Sequence, residues 1–188
     1  VTDEGEEVET ERSEGFNVTA PATTPTTGKR HFYRQIIDEA RRRWLEMGFQ
    51  EMNGDYTVSG LLNFDALFTP QDHPARELHD TFYLENPSES DTTRFGDMVG
   101  NIRSAHEDGG DTGSRGWRYD WDEKEAARNV LRTHTTAVSA ETLTELDEED
   151  IPATFFGVSR ALRNETVDAN HLPEFSQYDG TVVGTALA

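Results

Sequence analysis

The sequence predicts an α+β protein, an antiparallel β-sheet flanked by helices, and three features predict it. Residues 28–48 carry Tyr33, Ile36, Ile37, Ala40, Trp44 and Met47 at helical spacing. Residues 153–159 and 174–183 are rich in Phe, Val and Thr and enclose a polar, turn-forming stretch at 164–173, the pattern of an antiparallel hairpin. Residues 137–146 supply a second helix through Val138, Leu143 and Leu146.

The remaining elements follow in order. Residues 1–27 are rich in Glu, Thr and Pro with almost no large apolar side chain, so burial cannot offset their ordering entropy; they read as a tail or linker ahead of a folded part at 28–188. The first helix carries Arg41, Arg42 and Arg43 late, where cations suit the dipole, and stops at Gly48. Residues 49–52 enter a short strand, and 56–67 fit either helix or strand. Pro70 and Pro74 bracket turns, 81–84 reads as a strand and 95–106 as a helix. Gly109, Gly110, Gly113 and Gly116 read as a flexible connection; a phosphate-cradling loop would end in Lys-Ser/Thr, which is absent. The second helix stops before the acidic run 147–150, and Gly180 interrupts the last strand.

Acidic residues outnumber basic ones 37 to 17, a formal net charge of -20 spread along the whole chain. Such self-repulsion is screened by salt, and an even distribution reads as a solvated, halophile-like surface. It argues against a self-sufficient nucleic-acid grip, which needs local Lys/Arg density. The absence of cysteine excludes disulfides and thiolate chemistry. No apolar run approaches a membrane span and no signal peptide opens the chain, so a soluble cytoplasmic protein is expected.

Four segments carry chemistry-bearing residues: 63–76, 80–83, 133–136 and 163–177. Taken alone, His134 reads as a hydrogen-bonded structural histidine sooner than as a catalyst, Arg163 and Glu165 can be cross-strand surface partners, and Phe175 reads as core. The hairpin is more informative as a unit. Arg163 and Glu165 stand two apart at the loop mouth, while Phe175, Gln177 and Asp179 share one alternation on the returning strand. An Arg, a Glu, an aromatic ring and an amide on one surface suit an adenine-bearing anion and an ammonium group.

At this point the chain resembles a known family. Arg163-Asn164-Glu165-Thr166, then Asp168-Ala169-Asn170-His171-Leu172, Glu174-Phe175 and Gln177, resemble motif 2 of class II aminoacyl-tRNA synthetases in the form found in archaeal-type phenylalanyl-tRNA synthetase α subunits. Residues 63–76 with Asp80-Thr81-Phe82 look like that subunit's motif 1 region, and Thr133 to Thr136 with Ser139-Ala140 like its amino-acid-binding segment. Val18-Thr19-Ala20-Pro21 and Gly28-Lys29-Arg30-His31 resemble the stretch ahead of the catalytic module.

The resemblance implies activation of L-phenylalanine by Mg2+-ATP and its ligation to tRNA(Phe), in a heterotetramer with a β subunit. It implies that Arg163 is the catalytic residue at the α-phosphate. Glu165, His171 and Phe175 would meet the nucleotide, with Phe175 stacked on adenine and His171 at the outer phosphates. His134, Thr136, Tyr83, Glu165, Gln177 and Asp179 would meet the amino acid.

The chain departs from the family pattern at Glu141, where an Arg is expected near the substrate carboxylate, and at Leu162, Ser176 and Asp179. The third motif, with a second ATP-holding Arg and the protein ligands of Mg2+, is expected beyond residue 188, so the 188-residue chain alone is expected to be inactive. Two functions remain open: part of an active ligase, or a non-catalytic synthetase-like binding or regulatory module.

Overall fold

The computed structural model describes residues 27–185. The expected tail at 1–27 and the segment Val18 to Pro21 therefore lie outside the described residues, Thr27 apart.

The first helix, α1 (Phe32–Glu46), starts later than its apolar pattern suggests, because His31 is extended and its Nδ1 accepts the N–H of Tyr33. Gly48, left-handed at φ +89°, ends the helix as expected. The short strand β1 (Gln50–Glu51) follows. The undecided stretch 56–67 is both elements in succession: β2 (Thr57–Ser59), then the single-turn helix α2 (Gly60–Asn63) and a 3-10 turn at Asp65–Leu67. Ser59 makes the switch, its hydroxyl accepting the N–H of Leu62 at 3.4 Å. Pro74 opens a further 3-10 turn at Pro74–Arg76.

The strand expected at 81–84 is reduced to one bridge between Tyr83 and Val130. Val130 belongs to β3 (Asn129–Leu131), which pairs antiparallel with β2. Helix α3 (Asp97–Glu107) and the short α4 (Glu123–Ala127) precede it, and α5 (Thr136–Thr144) follows. The glycine-rich stretch is a tight structure, with a 3-10 turn at Gly110–Thr112 and backbone bonds back onto the end of α3, not the flexible connection its composition suggests.

The main sheet is built on the expected hairpin, β4 (Ala153–Leu162) with β5 (Glu174–Val183), antiparallel and in register from Ala153↔Val183 to Leu162↔Glu174. β4 runs three residues further than expected, and β5 is uninterrupted at Gly180. β1 adds to β4 in parallel, so the three-stranded sheet is mixed and not purely antiparallel.

Alternation along β4 divides its neighbours. Phe156 is fully buried under α1, stacked on Trp44 at 5.7 Å with the rings 5° from parallel. Phe155 points the other way and packs with Met52 and Val138 of α5. A further apolar cluster joins Leu61, Trp121 and Ala126 to Met98 and Ile102 of α3. The segment 133–136 and the mouth of the hairpin sit where these units meet. Among the described residues no helix is long and apolar enough to cross a membrane.

Candidate active site

Segment 133–136 leaves β3 and is fixed by Asn63, a fully buried amide at the end of α2. The Asn63 side chain donates to Thr133 Oγ1 at 3.0 Å and accepts the Thr133 N–H at 3.1 Å. The main-chain carbonyl of Asn63 accepts from His134 Nε2 at 2.9 Å. That bond assigns the Nε2 proton, leaving Nδ1 as a buried acceptor with no partner among the described residues. Burial holds the imidazole pKa below its ordinary value; the Asn63 carbonyl opposes this and nearby Arg163 reinforces it. His134 is therefore a neutral side chain with an unused lone pair.

Behind it lies Arg132, 1% exposed, which sequence reasoning missed. It donates to the carbonyls of Arg160 at 2.9 Å, Gly54 at 2.9 Å and Asp55 at 3.2 Å, and to the hydroxyl of Ser159. Among the described residues no carboxylate forms an ion pair with it, and burial lowers its pKa against the opposing charge of Asp55. One buried guanidinium thus ties the 133–136 segment to β4 and to the loop after β1. Arginine is seldom fully buried, and nothing in its sequence neighbourhood marks it.

The hairpin supplies the second wall. Arg163, one residue past β4, is held by its backbone to Pro173 and by Nε to the Thr133 carbonyl at 3.0 Å. Its guanidinium carbon lies 5.0 Å from the centre of the Phe175 ring, and Nη1 is 3.5 Å from Glu165. The side chain remains 41% exposed, so donors stay available to a ligand. Gln177 and Asp179 continue the same face toward α5. Gln177 Oε1 accepts the Thr135 N–H at 3.0 Å, and Asp179 accepts from Ser139 Oγ at 2.8 Å.

Arg163, Glu165, His134 and Thr133 share the wall of a cavity of about 580 Å³ with Asp80, His73, Phe64, Phe68 and Trp117. Phe175, Gln177, Asp179 and Thr136 do not line it: the first three lie along the β5 face and Thr136 starts α5. The floor under Phe68 is a buried network that the sequence did not reveal. Asp65, its side chain fully buried, accepts from Arg76 at 3.1 Å, Trp121 at 2.7 Å and Gln71 at 3.2 Å. The Asp65 carbonyl meets His106 Nε2 at 2.8 Å, and His106 Nδ1 meets the Tyr119 hydroxyl at 2.8 Å.

Several expected positions fall elsewhere. Tyr83, expected beside His134 and Thr136, packs against Val58, Phe64, Val130 and Ala137, and its hydroxyl donates to the Arg76 carbonyl at 2.7 Å. Burial raises its pKa, and it does not line the cavity. His171 is exposed on the hairpin loop, 2.9 Å from Asp168, whose carboxylate raises the imidazole pKa. Glu141, expected to invert the field near a substrate carboxylate, instead accepts from Arg94 at 2.7 Å at the periphery of α5. Its charge is paired and stands outside the Arg163 cavity. Ser176 alternates to the α1 side, opposite Arg160.

Among the described residues no three His, Asp or Glu side chains converge to hold a metal ion. The site offers a positive fork backed by an aromatic ring, carboxylates at its side, and a neutral histidine. Such a set can bind and orient a phosphate-bearing nucleotide and an ammonium group.

A family model for the tRNA synthetases class II core domain (F) matches residues 15–188. The phenylalanine–tRNA ligase α subunit of Methanopyrus kandleri is 52% identical over 168 residues, 89% of this chain and 32% of its own length. That of Methanothermobacter thermautotrophicus is 48% identical over 90% of this chain and 32% of its length. A phenylalanine–tRNA ligase α subunit of Xenopus laevis is 44% identical over 92% of this chain and 35% of its length. The chain thus spans about a third of the length of the curated relatives it matches. It belongs to the class II tRNA synthetase core-domain family.

Proposed function

We propose that this chain is part of a phenylalanine–tRNA ligase α subunit, which uses ATP to activate phenylalanine and ligates it to tRNA(Phe). The observation that carries the reading is Arg163, held between Thr133 and the Phe175 ring with its outer nitrogens open to the cavity. The relatives' names, at 44–52% identity along nearly the whole chain, support the same reaction.

In the first step the phenylalanine carboxylate attacks the α-phosphorus of ATP, forming an acyl-phosphate bond and releasing pyrophosphate. In-line displacement needs alignment and charge neutralisation more than covalent help. Arg163 holds the α-phosphate, exchanging its loose contact with Glu165 for the more strongly charged ligand. Phe175 stacks on the adenine, Glu165 flanks the nucleotide, and His171, whose pKa the neighbouring Asp168 carboxylate raises, reaches the outer phosphates. Gln177, Asp179 and Thr136 take the ammonium end, and neutral His134 supplies an acceptor at Nδ1. Tyr83 keeps a packing role. In the second step the acyl group passes to the tRNA end and AMP leaves. Mg2+ bound with ATP would shield its phosphates; among the described residues no three His, Asp or Glu side chains converge to hold it.

A β subunit completes the assembly, and the acidic surface fits a salt-rich archaeal cytoplasm. The second reading, a binding or regulatory module, is favoured by one observation: Gln177 and Asp179 are already engaged by Thr135 and Ser139. Amino-acid-dependent ATP–pyrophosphate exchange, run in molar KCl on the α subunit carrying this segment with its β partner, separates the two. The ligase exchanges with phenylalanine and the module with no amino acid.

A further inference from the structure

A second cavity, of about 290 Å³, lies between α1 and the edge of β4 and shares no lining residue with the Arg163 cavity. β1 covers β4 only at Phe155 and Phe156, so the outer edge of the strand is open beyond them. Val158 and Arg160 meet the cavity there, and the loop after β1 and Thr135 complete its wall.

The charge on this wall is the reverse of the chain's. Acidic residues outnumber Lys and Arg 37 to 17, yet Arg34, Arg41, Arg132 and Arg160 line the cavity and, among the described residues, no Asp or Glu does. The outer three are held by carboxylates that stand off the wall. Arg41 pairs with Glu51 at 2.6 Å, Arg160 pairs with Glu174, and Arg34 lies 3.7 Å from Asp38. Arg132 is different. It is 1% exposed and spends four of its five N–H groups on the carbonyls of Arg160, Gly54 and Asp55 and the hydroxyl of Ser159, which leaves one at Nη2.

Two hydroxyls add to the donors. Ser159 Oγ accepts from Arg132, so its own proton can be given elsewhere. Thr135 is fully buried, its N–H is taken by Gln177, and a Cβ on Gly157 would lie 2.8 Å from its methyl carbon. Its Oγ1 has no partner among the described residues. A buried hydroxyl left unpaired is destabilising, so one kept on a cavity wall points to a bond completed by what enters the cavity.

The donors come from α1 on one side and from the sheet edge on the other, so a ligand that accepts on every side fits them. Guanidinium forks and hydroxyls together suit the oxygens of a phosphate-type anion. We propose that the cleft between α1 and the open edge of β4 binds a small free tetrahedral oxyanion, of the phosphate or sulfate type, on Arg34, Arg132, Thr135 and Ser159.

Phosphorus-31 NMR of inorganic phosphate with the 188-residue chain tests it. Arg163 can also hold a phosphate, so the measurement is made on the Arg163→Ala chain, at an ionic strength fixed with KCl. The net charge of -20 repels phosphate in general, and saturable binding therefore reports a built site. Saturable binding is expected, displaced by sulfate but not by an equal addition of chloride or of adenosine 5'-monophosphate. Adding Thr135→Val or Arg34→Gln should lower the affinity roughly tenfold, the scale of one hydrogen bond lost to a charged group. Thr135→Val should unfold at the same urea concentration as its parent, because its hydroxyl makes no bond in the empty protein. No saturable binding in the Arg163→Ala chain, or equal affinity in the Thr135→Val and Arg34→Gln variants, overturns the site. Displacement by chloride overturns the tetrahedral preference, and displacement by adenosine 5'-monophosphate overturns the assignment to a free anion. A loss of stability in Thr135→Val would give its hydroxyl a structural partner and overturn its role as a donor.

Discussion

The Arg163 guanidinium carbon lies 5.0 Å from the centre of the Phe175 ring, so the loop-mouth cation and the returning strand's aromatic side chain are positioned by each other. A planar cation over a ring face is attracted by the ring quadrupole, and its orientation is restricted. Removing the ring should therefore disturb the aim of the arginine and, on the proposed reading, the seat of the adenine. Phe175→Ala is expected to raise the KM for ATP in pyrophosphate exchange roughly tenfold, with Phe175→Tyr close to wild type. An unchanged KM in the alanine variant would mean the ring serves only the sheet.

Asp65 is the keystone of the network under the cavity. Its fully buried carboxylate accepts from Arg76, Trp121 and Gln71. Truncating it leaves the Arg76 cation buried without its counter-charge. Asp65→Ala should lose about 3–5 kcal/mol in urea unfolding, the usual cost of breaking a buried pair from one side. A loss below about 1 kcal/mol, the range of an exposed pair, would contradict the burial described here.

His134 carries a pH signature. Burial lowers its pKa in the folded chain, so the unfolded chain binds the proton more readily. Its contribution to stability is then fully present above the unfolded value, about 6.5, and is lost as pH falls through the depressed folded value. His134→Gln can keep the donation to the Asn63 carbonyl without titrating. The wild type should lose more stability than this variant as the pH is lowered from neutral toward about 5. Parallel unfolding curves at the two pH values would show that His134 is not held neutral.

Gly180 faces α1, where a Cβ would come within 2.7 Å of the Trp44 ring. Trp44 is itself fixed against Phe156 and Phe49. Gly180→Val should cost about 1–3 kcal/mol by overpacking and change the near-ultraviolet circular dichroism of the tryptophans. Unaltered spectra and stability would place Trp44 elsewhere.

The hairpin was legible in the sequence because its signals are local: two Phe-, Val- and Thr-rich runs, a polar loop between them and period-2 alternation on the returning strand. The same alternation put Phe175, Gln177 and Asp179 on one face, where the strand register holds them. The parallel addition of β1 to β4 was not legible, since two residues carry no pairing signal of their own. Arg132, Asp65 and His106 escaped for a related reason. Each is a polar residue buried by partners far along the chain, and composition alone reads such residues as surface. Glu141 shows the converse error, in which a motif offset pointed to the substrate while Arg94, reaching over from before α3, takes the charge. The glycine cluster misled because glycine serves flexible links and tight, left-handed turns alike.

The most direct test of the central claim is phenylalanine-dependent ATP–pyrophosphate exchange by the α subunit carrying this segment, assembled with its β partner, with and without Arg163→Ala. Exchange with phenylalanine, reduced roughly 100- to 1000-fold by the substitution, is the expected result for a lost transition-state donor. Near-wild-type exchange in Arg163→Ala would contradict it and remove Arg163 from the α-phosphate.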